Sequence, residues 1–465
     1  MPEPRDHWSS RAGFVLAAAG SAVGLGNLWK FPYIAWENDG GAFVLVYLIC
    51  VLVVGLPIMI AEILLGRASQ VSAVGAFKKM IGKRWGFVGG LGVLTGFIML
   101  GYYSVIAGWS IRNFVACMRW SIGGFPADTD LAAGFTAFVG DGPLQLGTTF
   151  LFMAATIFVV YRGIGRGIER LARWLMPALL AILAVLLVSA MSMEGAGRAL
   201  NFLFRPNFSE LQWTSVLEAL GHSFFTLSLG MGAMVTYGSY MSRKESVVRS
   251  SLIVVVLDTG IALVASAIMF SVIFSTAGLA ESLGKSTVGM LFITLPAQFY
   301  TWIPFGRVLA PLFYVLVGFA ALTSTVSILE VVTSYFVDQR GVSRKKAALG
   351  AGGGVLAVGI LCALSNGAVG ALSNFTIFGE SFGGKQGLLA NLDHLASNWL
   401  LPVGGFLITL CAGWVLSREV SAKELADPEP PGWFHYGIWR FFIRYVAPIA
   451  VGLIIVFVLL GRDFS

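Results

Sequence analysis

Gly20-Ser-Ala-Val-Gly-Leu-Gly-Asn27, followed by Trp29-Lys30-Phe31-Pro32, sits inside the first long apolar segment of this 465-residue chain. Three glycines within seven positions weaken a helix by about 1 kcal/mol each relative to alanine. In hydrocarbon, such weakness survives only where the freed backbone groups are buried in protein or line a cavity. A membrane helix broken at mid-depth, with an asparagine at the break, offers carbonyls to a cation and amides to a carboxylate. The stretch therefore predicts an interrupted transmembrane helix built around an ion and a small carboxylated molecule.

Composition supports the membrane setting. Hydrophobic residues make up 57% of the chain and charged residues 12%, against about 25% charged in soluble domains; mean hydropathy is +0.81. The chain reads as a single all-α polytopic membrane domain, 1–465. The N-terminal Arg5-Asp-His-Trp8 leads into an apolar run without a small-residue cleavage site, unlike a signal peptide. Cys50, Cys117, Cys362 and Cys411 fall in or at the ends of apolar segments, with no CxxC, and read as small buried hydrophobes rather than a disulfide or metal framework.

Eleven spans are predicted, near 11–37, 41–66, 86–118, 145–162, 168–190, 214–241, 247–276, 306–337, 346–364, 394–416 and 438–461. Alternate connections carry the basic residues, among them Arg67, Lys78, Lys79, Lys83, Arg84, Arg162, Arg166, Arg243, Lys244, Arg340, Arg344, Lys345 and Lys346. The opposite set holds chiefly Arg119, Arg198, Arg205, Lys285 and Lys385. The positive-inside rule then places the N-terminus in the cytoplasm and, with an odd number of spans, the C-terminus outside. The net charge of +7 is explained by topology, which argues against a nucleic-acid partner.

Phe225-Thr-Leu-Ser-Leu-Gly-Met-Gly232 in the sixth span echoes the first break. The first and sixth spans thus begin two five-span units of opposite orientation, 1–190 and 214–416, with 438–461 outside the repeat. Paired interrupted helices in inverted halves point to a binding site at mid-membrane. Arg5, Trp8, Gly20 to Phe31-Pro32, Tyr102-Tyr103, Phe224 to Gly230 and Leu322-Thr-Ser324 together resemble the neurotransmitter:sodium symporter family, most of all its bacterial hydrophobic amino-acid members of the eleven-span type. The resemblance covers essentially the whole chain. It implies a leucine-transporter-like bundle of five plus five inverted helices, in a multi-pass plasma (bacterial inner) membrane. It further implies alternating access and sodium-driven uptake of amines or amino acids.

Carried over position by position, the resemblance implies a first sodium site of Ala22, Asn27, Thr226 and Asp258, completed by the substrate carboxylate. It implies a second at Gly20, Val23, Ala320, Thr323 and Ser324. Helix–helix hydrogen bonding is the plainer reading of Thr323-Ser-Thr325 taken alone; beside the Gly20–Asn27 break and Thr226, the sodium reading gains. The substrate pocket is expected among Ala22, Gly24, Leu25, Gly26, Met99, Tyr103, Phe225, Thr226, Ser228, Met231, Thr325 and Ile328. Gly24 stands where amine-carrying relatives place an aspartate, so the substrate should bring its own carboxylate; the apolar, methionine-bearing lining suits neutral hydrophobic side chains. Lys30 and Asp393 match an outer gate, with Lys where arginine is usual. Arg5 and Asp338 match an inner gate, with Trp8, Tyr240 and Glu330 around them. Glu62 is expected to accept from amides freed by the first break, and Gly167 with Pro177 resembles an unwinding element. Asp258, backed by Tyr47, stands as a built-in substitute for chloride, with a proton available for return transport. His222 and His394 are expected near the outer gate as satisfied, uncharged rings.

Other classes fit less well. Leu283-Gly-Lys-Ser-Thr287 is a near miss to a phosphate-binding loop that lacks its first glycine, and no HExxH or GxSxG occurs, which argues against an enzyme. A channel shares broken helices, but two gates around one site favour a carrier. A carrier of another small carboxylated amine, or a non-transporting sensor of the same fold, are the remaining alternatives.

Overall fold

A computed structural model describes residues 6–126, 130–209, 211–276, 289–303, 305–379, 384–426 and 428–461. Among them, nine helices are long and apolar enough to cross a membrane: Gly41–Ser69, Lys83–Gly123, Gly142–Tyr161, Ile164–Met191, Val247–Ser275, Gly306–Arg340, Arg344–Leu364, Leu388–Val415 and Tyr436–Leu459. A tenth crossing is the pair Arg11–Ala22 and Gly26–Glu37, bent by 53°. The sixth expected span is split into Trp213–Thr226 and Ala233–Gly238. At about 1.5 Å per residue neither half reaches across about 30 Å of hydrocarbon alone. Counting this split segment once recovers the eleven expected spans.

Both interruptions have local causes. Val23 leaves the helix in an extended conformation (φ −68°, ψ 105°), and Gly26–Lys30 rewinds as a π turn. Pro32 then falls in the first turn of the next helix, where its missing N–H costs nothing. In the sixth span Ser228, Gly230 and Gly232 take φ of 53°, 86° and 76°. Two glycines make that path cheap, while Ser228 holds a conformation rare outside glycine. The second and sixth spans meet backbone to backbone: a Cβ on Gly66 would lie 2.0 Å from the Val235 carbonyl oxygen, and one on Gly238 2.6 Å from that of Ile63.

The third and eighth spans pack on each other most extensively and, with the second, are mostly buried, while the fifth and eleventh turn most of their surface outward. That outward surface is apolar, with Val185, Val188, Ile449 and Leu453 exposed, as lipid requires. Cys117, Cys362 and Cys411 are buried packing residues.

Several details differ from expectation. The tenth span starts at Leu388, six residues before the expected 394, so that Asp393 lies within its helical run rather than before it. Ala73–Met80, Leu131–Gly140, Ala196–Phe204, Leu295–Thr301 and Arg418–Ala426 form helices inside the connections. The Gly167–Pro177 element is wound, as a π turn at Ile164–Glu169 followed by an α-helix continuous through Pro177. Arg67, read as one of the topology charges, is 1% exposed and paired to Glu424 at 2.8 Å. It also donates to the Glu424 carbonyl and, at 2.6 Å, to that of Glu245. Lys285 and the near-miss loop lie outside the described residues.

Candidate functional site

The two breaks face each other at the centre of the bundle, and side chains from the seventh and eighth spans close the gap between them. Asn27, 0% exposed, is the hub on one side. Its amide nitrogen donates to Asp258 Oδ1 at 2.7 Å and to Thr226 Oγ1 at 2.9 Å. Its amide oxygen accepts from the Gly24 N–H at 2.9 Å. Thr226 donates to the Asp258 carboxylate at 3.1 and 3.2 Å. Only the NH₂ end of an amide can face a carboxylate, so Asp258 fixes the orientation of Asn27. Three residues from three segments, distant in sequence, thus form one buried oxygen-rich cluster. Tyr47 lies beside the cluster, its buried hydroxyl next to Thr226 and Thr259 and within the field of Asp258, and its ring rests on Phe31 at 4.6 Å.

On the other face, Ser324 Oγ lies 3.2 Å from the carbonyl oxygens of Val23 and Ala320, 3.4 Å from that of Ser21 and 3.5 Å from that of Gly20. A hydroxyl has one proton to give. Four carbonyls converging on it form an electron-rich cage that a hard cation suits. Thr323 borders the cage, donating to Ala320 O at 3.0 Å. Ser21, which the sequence did not single out, donates its hydroxyl to that of Ser327 at 2.7 Å and ties the broken end to the eighth span.

Between the clusters lie most of the expected pocket residues. Tyr103 Oη accepts from the Leu25 N–H at 3.1 Å, which leaves its own O–H for an acceptor. A Cβ on Gly24 would stand 2.8 Å from Ser324 Oγ and 3.1 Å from Tyr103 Oη. The position therefore has no room for a carboxylate side chain, a steric reason added to the one from sequence. Phe225 lies over Gly26, within 3.1 Å of where a Cβ would be, and Ile328 faces Gly96 of the third span at 3.3 Å by the same measure. Met99 and Met231 are buried. Two expected members are turned elsewhere. Thr325 faces the fourth span, its hydroxyl 2.9 Å from that of Thr156. Ser228 spends its hydroxyl on the Ser21 carbonyl at 2.9 Å, bridging one break to the other.

Glu62 also departs from expectation. Fully buried, it accepts from the Gly230 N–H at 2.8 Å, so it serves the sixth-span break and not the first. The reason is the tight Gly66–Gly238 crossing, which brings the second span against the sixth.

Above the pocket, Lys30 Nζ sits 4.6 Å from the Phe225 ring centre, and Asp393 accepts from Ser397 at 3.0 Å. Each member of the expected outer pair is thus engaged elsewhere in this conformation. His222 borders the same region, its ring tilted against those of Phe31 and Tyr47 at 5.5 and 5.7 Å. Contrary to expectation, neither of its ring nitrogens has a hydrogen-bond partner. His394 Nδ1 shares a proton with Asn398 at 2.9 Å.

Below the pocket the cytoplasm-predicted end is shut. Trp8 is buried, its indole N–H on the Tyr237 carbonyl at 3.0 Å and its amide on that of Tyr240 at 3.1 Å. Tyr240 donates to Glu330 at 2.7 Å. Glu330 is gripped in turn by both terminal nitrogens of Arg344, at 2.5 and 3.1 Å. Sequence placed Arg344 among the topology charges and gave no sign of this pair. Asp338 accepts from the Ser72 N–H at 2.5 Å, at the start of helix Ala73–Met80; Arg5 lies outside the described residues. Ser9 and Arg173 both bond Glu169 of the fifth span, anchoring the N-terminal segment.

Two broken helices around a sealed, oxygen-lined centre define a membrane carrier rather than an enzyme. The family model for the sodium:neurotransmitter symporter family matches residues 5–123 and 135–460, and the chain belongs to that family. It is 35% identical over 97% of its length to the uncharacterized sodium-dependent transporter YhdH of Bacillus subtilis, covering 96% of that protein. To an uncharacterized sodium-dependent transporter of Haemophilus influenzae it is 30% identical, over 97% of this chain and 98% of the other. The crystal structure of MhsT in complex with L-phenylalanine superposes with a TM-score of 0.86 at 38% identity, covering 98% of this chain and all of that one. The fold is accordingly the leucine-transporter-like bundle, and the chain is a sodium-coupled transporter.

Proposed function

We propose that this protein takes up neutral, hydrophobic L-amino acids with sodium by alternating access, and does so without chloride. The observation that carries the reading is the Ser324 hydroxyl ringed by carbonyls of Gly20, Ser21, Val23 and Ala320. One proton cannot serve four acceptors, and a sodium ion held there with Thr323 would. Asn27, Thr226 and Asp258, with the Ala22 carbonyl and the substrate carboxylate, would hold a second ion. Asp258 supplies the negative charge that chloride would otherwise bring, and it is free to take a proton once sodium has left.

The substrate carboxylate would meet the Tyr103 hydroxyl and the amides around Leu25 and Gly26. The lack of space at Gly24 supports a substrate that brings its own acid, and the phenylalanine bound by MhsT supports a large apolar side chain. Lys30 with Asp393, and Arg5 with Asp338, Trp8 and Tyr240, would close the site alternately from the two sides. In this reading 1–190 and 214–416 are the inverted halves, the N-terminus is cytoplasmic and the C-terminus is outside. The test is uptake of labelled phenylalanine into proteoliposomes under a sodium gradient, with chloride or gluconate as the anion. Saturable, sodium-dependent uptake indifferent to the anion is expected. Equal competition by amines lacking a carboxylate would refute the pocket.

A further inference from the structure

Arg112 lies inside the third span, where an uncompensated charge calls for an explanation. Its guanidinium donates to Asn113 Oδ1 at 2.8 Å and to the Gly134 carbonyl at 3.3 Å, and it lies 5.3 Å over the Phe138 ring. Among the described residues no carboxylate forms an ion pair with it, and three of its five N–H donors remain. Two helical turns on, exposed Arg119 lines the same groove of about 550 Å³ between the third span, the fourth span and helix Leu131–Gly140. The groove is amphipathic. Val115 and Leu144 in its wall are 42% and 54% exposed, and Leu151 continues the apolar path along the fourth span at 57%. At the head end Asp141 also lines the groove; one of its oxygens caps the fourth span through the Leu144 N–H at 3.0 Å, and the other is left over.

We propose that this groove binds a membrane phospholipid. Its phosphate lies on Arg112 and Arg119, its headgroup ammonium on Asp141, and one acyl chain runs over Val115, Leu144 and Leu151. Arginine forks match phosphate oxygens in pairs, and basic pockets between membrane helices take lipid headgroups. Two cations beside one anion suit a zwitterionic phosphoethanolamine head better than a purely anionic one.

Native mass spectrometry of the detergent-purified, delipidated protein after addition of phosphatidylethanolamine, phosphatidylglycerol, diacylglycerol or inorganic phosphate tests this. Phosphatidylethanolamine should be retained best. Arg119→Gln, at an exposed position that spares the fold, should lower retention about fivefold, and the double variant with Arg112→Gln roughly 25-fold. Asp141→Asn should shift preference toward phosphatidylglycerol. Equal retention of diacylglycerol would reduce the site to an apolar surface and overturn the proposal. So would inorganic phosphate raising the melting temperature as much as lipid does, or undiminished phosphatidylethanolamine retention in Arg119→Gln. A monodisperse gel-filtration peak for each variant separates loss of the site from loss of the fold.

Discussion

Replacing Glu330 with glutamine removes the acid at the centre of the seal below the pocket while keeping its shape. The carboxylate is 0% exposed, bonded by two Arg344 nitrogens and the Tyr240 hydroxyl, while Arg344 keeps 18% of its side chain in solvent. Breaking a buried pair by removing one partner costs about 3–5 kcal/mol. The solvent reach of Arg344 argues for the lower end, about 3 kcal/mol, or roughly 150-fold in an equilibrium. If the pair exists only while the inner side is shut, that cost falls on the shut state, and the open population rises by that factor up to saturation. The assay is alkylation of a cysteine placed at buried Thr236, in a background with the four native cysteines replaced; its rate reports transient opening from the inside. Glu330→Gln should speed labelling by about two orders of magnitude, and Arg344→Gln by at least as much, since it leaves the fully buried Glu330 carboxylate without its cation. An unchanged labelling rate with a lowered melting temperature would refute the reasoning: the pair would then hold the fold in every state and not the gate.

Ser324→Ala should raise the sodium concentration for half-maximal uptake about tenfold or more, the worth of one charge-assisted ligand, at normal folded yield; unchanged sodium dependence would return Ser324 to helix packing. Asp258→Asn should make uptake respond to chloride where the wild type does not, measured with gluconate as the replacement anion. Thr325→Val should leave the phenylalanine half-saturation constant within about twofold and cost only the Thr156 hydrogen bond, of order 1 kcal/mol, read as a small loss of melting temperature. Lys30→Ala and Asp393→Ala should each speed substrate release outward and be less than additive together; strict additivity would mean the two never meet in the cycle.

Spans and breaks were legible because hydrocarbon imposes them: eleven apolar runs read straight from hydropathy, and clustered glycines at 20–26 and 230–232 have few other uses in a membrane helix. Asn27 and Asp258 were legible for the same reason, as polar groups where polarity is expensive, whereas Thr226 and Ser324 were placed by the resemblance to the symporter family. What escaped was partner choice. Hydropathy gives depth but not azimuth, so Thr325 was set in the pocket although it faces Thr156, and Glu62 was assigned to the wrong break. Charges near span ends read as topology whether or not they are buried, which hid both Arg344 with Glu330 and Arg67 with Glu424. The short helices of the connections run only 7 to 10 residues, too few turns for a period to stand out.

The Arg67–Glu424 bond joins residues 357 positions apart. At about 5–20 residues per second, a ribosome takes roughly 20 to 70 s to travel from one to the other. For that interval the second span sits in the bilayer with a guanidinium whose burial site does not yet exist. Arg67 must wait at the water interface, and the inner ends of the second and sixth spans, so tightly apposed in the finished molecule, stay unsealed until the tenth span has been inserted and Arg418–Ala426 has emerged behind it. A nascent chain stopped short of Glu424 would therefore expose a cationic, incompletely packed face at that end of the bundle, which gives membrane quality control a physical mark by which to tell unfinished copies from complete ones.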